Sequence, residues 1–202
     1  TQQLAIPLTF AMAINVGFIV GLVFVPKLWT IVEYLFPAAV VAFLAVGVMA
    51  MRMYADFFAS CLSDNRFDSE ANNSLAQMMP SFAFSMVSVG LAAPAALSHN
   101  TTVVGFSVTV SLFFFVAAVL IGLFNFVAGL SKLFDKGASL TTLPTLWVLI
   151  PILTVLGIAS MRLDHGLSHT LHLYTATTPL LFLSVFFGAQ LLIAILGGAV
   201  MR

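Results

Sequence analysis

The chain has 202 residues, of which 61% are apolar and 7% are charged, with seven basic residues against seven acidic ones. A soluble domain carries roughly 25% charged residues, so a soluble enzyme, a disordered chain and a nucleic-acid-binding surface are excluded. With a mean hydropathy of +1.14 the composition is that of an integral membrane protein.

The charges fall in clusters, and the apolar runs between them are the elements. Six runs reach the about 20 residues that a helical crossing requires: 4–26, 32–51, 79–97, 103–131, 143–161 and 179–201. None alternates apolar and polar residues as a barrel strand would. The prediction is an all-α integral membrane protein, one transmembrane domain over 1–202, with the six spans paired as three helical hairpins.

The first span carries Pro7, Asn15 and the pair Gly17 and Gly21, a small-xxx-small spacing that predicts close helix contact. The second contains Pro37 and closes at Arg52, after which Tyr54, Asp56, Phe57 and Phe58 suit a helix end at the membrane interface. A polar stretch over 63–74 follows.

In the third span Ser81, Ser85, Ser88, Ala92 and Ala95 recur at helical spacing and share one face, with His99 ending the stripe. A line of hydroxyls and small side chains suits a water-lined conduit. The same residues are enriched where membrane helices touch, so packing is the alternative. Pro94 lies inside this span and Pro80 near its start.

The fourth span holds Asn125 and exceeds the length of a straight crossing, which predicts tilt or an extension beyond the hydrocarbon. Interhelical hydrogen bonding is expected of Asn125 and of Asn15. In the fifth, Trp147, Pro151, Thr154 and Ile158 share a face, which is either a second pore wall or ordinary helix packing. Prolines in spans one, three and five predict kinked helices around a central path.

After Arg162 come His165, His169 and His172, at a spacing that puts all three on one face if the segment is helical. Imidazole is a common metal ligand, so an alternative function is a membrane subunit of a redox or metal-handling complex using this face. The segment lies between spans, and a solvated interfacial helix is the simpler reading. Otherwise no metal, cofactor or enzymatic chemistry is expected. Cys61 is the only cysteine, which forbids a multi-cysteine metal site.

Arg52, Arg66, Lys132, Lys136 and Arg202 fall on one side of the spans and only Lys27 and Arg162 on the other. The excess predicts that both chain ends are cytoplasmic. No acidic residue sits at mid-depth in any span, where proton-coupled carriers place their relays. A neutral, hydroxyl-lined path fits small anions or uncharged solutes.

The basic connection Phe134-Asp135-Lys136-Gly137, the run Leu140-Thr141-Thr142-Leu143-Pro144-Thr145-Leu146-Trp147 with Ile150-Pro151, and Ser81 to Gly90 together resemble the tellurite-resistance/dicarboxylate transporter family, relatives of the plant slow anion channels. The resemblance implies a ten-helix, five-hairpin pore, of which this chain would supply the middle three hairpins, incomplete at both ends. It further implies a homotrimer in a bacterial inner membrane that passes small anions as a channel or passive exporter. Ser81, Ser85, Ser88, Ala92, Trp147, Pro151 and Thr154 would line the path. The expected partners are a small inorganic or organic anion and the lipid bilayer, with no nucleic acid.

Overall fold

A computed structural model describes residue 3 and residues 5–63, 75–136, 143–175 and 177–200. The polar stretch 64–74 and the connection 137–142, which carries part of the family resemblance, lie outside the described residues. The described chain is helical and contains no strand. It comprises α1 (Ala5–Phe24), α2 (Leu28–Ser63), α3 (Met79–Leu97), α4 (Thr101–Lys136), α5 (Leu149–His165) and α6 (Pro179–Val200). Six segments are long and apolar enough to cross a membrane, so the chain is an all-α, multi-pass membrane protein.

The helices form three hairpins side by side. Within each pair, α1 packs on α2, α3 on α4 and α5 on α6. Between pairs, α3 touches α1, α2 and α5, so the middle hairpin is the core of the molecule. In α3, 72% of the spanning segment is buried, against 17% in α1 and 6% in α6. Lipid is as apolar as leucine, so burial of carbon supplies little drive for helices to associate there. Close packing and interhelical hydrogen bonds must supply it.

Close packing is visible where aromatic rings lie on glycines. A Cβ on Gly90 would collide with the ring of Phe43, and one on Gly47 with the tip of the Phe114 ring. The missing side chains let α2 approach both helices of the middle hairpin. Phe114 stacks on Phe84 at 6.1 Å, and Tyr54 meets Phe84 edge-on at 6.0 Å.

The connections are built from short-range bonds. Lys27 takes a left-handed φ of 62° between α1 and α2, and its carbonyl accepts from the Thr30 amide and hydroxyl. At the same end of the bundle Glu33 of α2 accepts from the Ser98 hydroxyl and, at 3.2 Å, from the Asn100 amide. That carboxylate ties the α3–α4 turn to the neighbouring hairpin.

Two expectations about the spans are corrected. The first concerns the proline kinks. Pro7 and Pro151 are each the third residue of their helix, where the amide has no intrahelical acceptor to lose. Only Pro37 of α2 and Pro94 of α3 stand inside a helix. Pro94 deprives the Gly90 carbonyl of its helical donor. Helices one and five are therefore not proline-kinked, and a 3-10 turn, Leu143–Val148, leads into α5 instead.

The second concerns length. α2 runs unbroken past Arg52 to Ser63, about 54 Å for 36 residues. The fifth crossing does not stop before Arg162: α5 reaches His165 and passes into a π-turn, Gly166–Thr170. The spanning segment is Thr145–Thr170, and Arg162 lies within it. The fourth helix, at 36 residues, has the extra length expected of it.

Candidate functional site

The serine face of α3 packs against α4. Ser81 donates to the Ala118 carbonyl at 2.7 Å. Ser88 donates to the Ser111 carbonyl at 3.0 Å, and the Ser111 hydroxyl returns a bond to the Ser88 carbonyl at 2.9 Å. Ser85 bonds back to the Phe82 carbonyl of its own helix at 2.8 Å. Ser81, Ser85, Ser88 and Ala92 are all buried. The Ser81 and Ser88 hydroxyls join the two helices of a hairpin, which is the packing alternative.

The fifth-span residues divide. Trp147 sits in the 3-10 turn, and its indole covers Gly197 of α6. It fastens the third hairpin. The Thr154 hydroxyl donates to the Ile150 carbonyl and accepts from Gln190 of α6 at 2.9 Å. Pro151 is exposed, and by helical spacing Pro151, Val155, Ile158 and Arg162 form one stripe.

The less buried residues of α3 form a matching stripe: Phe82, Met86, Ala93 and Ala96. At 100° per residue this stripe is turned roughly 110° from the serine face. Two polar side chains reach its backbone from the flanking helices. Asn15 of α1 donates to the Met86 carbonyl at 3.3 Å, and Arg162 of α5 donates through Nη1 to the Val89 carbonyl at 2.8 Å. Interhelical bonding by Asn15 was expected, as was that of Asn125, which donates to the Gln77 carbonyl at 2.9 Å.

Arg162 is the residue that sequence reasoning misplaced. The sequence alone places it as a charge closing the fifth span at the interface. In the structure Val89, its acceptor, lies eight residues before the end of α3, about 12 Å along the helix. The guanidinium is half-buried and makes no ion pair among the described residues. A signal was present: Ala159, Leu163 and Gly166 continue the buried helical period past Arg162. Gly166 lies so close to the Ala95 carbonyl that no Cβ would fit.

Beyond Arg162, Asp164 is buried and engaged elsewhere. Its Oδ1 accepts from the Tyr174 hydroxyl at 2.8 Å and from the Thr177 amide at 3.4 Å. Desolvation, and then the hydrogen bond and charge of Asp164, push the Tyr174 phenol above its ordinary value. The carboxylate thereby holds the loop leading to α6.

The histidine face does not form as expected. His165 and His169 are ring neighbours, with centroids 4.4 Å apart. His172 has a φ of 51°, beyond the end of the π-turn, and leaves the helical face. Among the described residues no three His, Cys, Asp or Glu side chains converge as metal ligands would.

Two clefts lie beside α5. One, of about 300 Å³, runs between α3, α4, α5 and α6, and Ser81 is its only hydroxyl amid residues such as Phe115, Phe126 and Phe186. The second, about 210 Å³, lies between α5 and α6 and holds Thr154 and Gln190. Ser81 and Thr154 thus line separate apolar clefts. No family model, characterised protein or solved structure matches the chain.

Proposed function

We propose that this chain moves small anions across a membrane, along the side of the hairpins formed by α1, α3 and α5. The observation that carries the reading is Arg162, a cation turned inward onto mid-span backbone without an acidic partner among the described residues. A charge inside a membrane is costly and marks substrate and ion pathways. A fixed cation beside a path raises the barrier for cations and lowers it for anions.

The hairpin arrangement is compatible with the middle of a five-hairpin pore of the tellurite-resistance/dicarboxylate transporter type. On that reading both ends face the cytoplasm of a bacterial inner membrane, the assembly is a homotrimer, and the solute is chloride, nitrate, sulfite or a dicarboxylate. The candidate lining differs from the serine face: Phe82, Met86 and Ala93 of α3 with Pro151, Val155 and Arg162 of α5.

Efflux from proteoliposomes loaded with potassium nitrate tests the reading. Nitrate should leave faster than from empty liposomes once valinomycin lets potassium follow. Without valinomycin, potassium should be retained. Nitrate loss at the rate of empty liposomes, or potassium loss without the ionophore, would contradict it.

A further inference from the structure

We infer that the Arg162 guanidinium is a binding site for a planar, monovalent oxyanion of the nitrate or carboxylate kind, which it holds in a two-point grip. The inference rests on the transport reading for its purpose and on the geometry for its chemistry. A guanidinium carries five N–H donors in a rigid plane. Here Nη1 is committed to the Val89 carbonyl, which anchors that end of the group to α3. The opposite edge, Nε and Nη2, presents two parallel N–H bonds and meets no acceptor among the described residues.

The nearest acidic side chain in sequence, Asp164, is engaged by Tyr174 and Thr177 and does not neutralise it. An arginine serving only to reach water at the helix end would extend outward, as long basic side chains do near membrane surfaces. Arg162 instead contacts a carbonyl about 12 Å inside the end of α3. One turn deeper on the same helix, the Met86 carbonyl accepts from Asn15 of α1 at 3.3 Å.

The free edge matches two oxygens of a planar oxyanion, a pairing that a spherical halide cannot make. The predicted preference is therefore nitrate and acetate over chloride. A lysine would keep the charge and lose the fork.

Equilibrium binding of sodium nitrate, acetate and chloride to the detergent-purified full chain, by calorimetry in dilute zwitterionic buffer, tests this without requiring flux. Nitrate should bind about fivefold or more tightly than chloride, a difference of about 1 kcal/mol. Arg162→Gln should weaken nitrate about tenfold or more. Arg162→Lys should retain chloride binding and lose the nitrate preference. In the wild-type chain, nitrate should slow phenylglyoxal modification at Arg162 relative to Arg52, a readout independent of whether the variants fold. Wild-type nitrate affinity in Arg162→Gln, or modification at Arg162 indifferent to nitrate, would overturn the site. Nitrate binding without efflux would leave the site standing and sink the transport reading; efflux with Arg162→Gln unchanged in binding would do the reverse.

Discussion

Ser107 is buried in α4, and its hydroxyl has no hydrogen-bond partner among the described residues. The bonds from Ser81 to Ala118 and from Ser88 to Ser111 set the antiparallel register of α3 and α4, which places Ala92 opposite Ser107. A hydroxyl at position 92 would complete a second reciprocal pair like that of Ser88 and Ser111. Ala92→Ser should therefore stabilise the fold by about 0.6 kcal/mol, the typical value of an interhelical hydrogen bond in a membrane protein. Reversible unfolding in mixed micelles would measure it. A destabilised variant would show that the register is wrong or that the site is too tight for an oxygen.

At the scale of helices, glycine has two meanings in this chain. Gly17 and Gly21 share a spacing that suggests close contact, yet a Cβ on Gly17 would meet nothing within 4 Å and one on Gly21 meets only Leu28, at 3.3 Å. Gly90 carries the close approach, beneath Phe43. Gly90→Ala should cost about 1–3 kcal/mol by overpacking. Gly17→Ala should be neutral or mildly stabilising, since alanine is the better helix former by about 1 kcal/mol. The two variants compared in one unfolding assay check this, and equal effects would contradict the packing described.

The six crossings were legible because apolar length is a strong signal and sparse charges punctuate it. Their ends were not. Arg52 and Arg162 read as stops on the assumption that a charge ends a span, whereas a backbone that must satisfy its own hydrogen bonds continues through both. The stripe of Ser81, Ser85 and Ser88 was legible as a stripe. Whether it faced water or a neighbouring helix depended on where α4 docks, and a one-dimensional period does not hold that information. Arg162 was hidden for a related reason. Its significance lies in the Val89 carbonyl, 73 residues away in sequence.

Three environments surround the middle hairpin and the α5 face beside it. Ser88 lies sealed between α3 and α4, Leu120 of α4 is 62% exposed on the lipid-facing side, and Met86 and Val155 lie on the stripes flanking Arg162. An anion path requires water along the last of these and not the others. The most direct test replaces Cys61 with serine, introduces single cysteines at Met86, Val155 and Leu120, and exposes the chain in liposomes to a charged, water-soluble methanethiosulfonate reagent. Met86→Cys and Val155→Cys should react readily, nitrate should slow the reaction, and Leu120→Cys should resist it. Cysteines at positions 86 and 155 as unreactive as the one at position 120 would contradict a path along α1, α3 and α5.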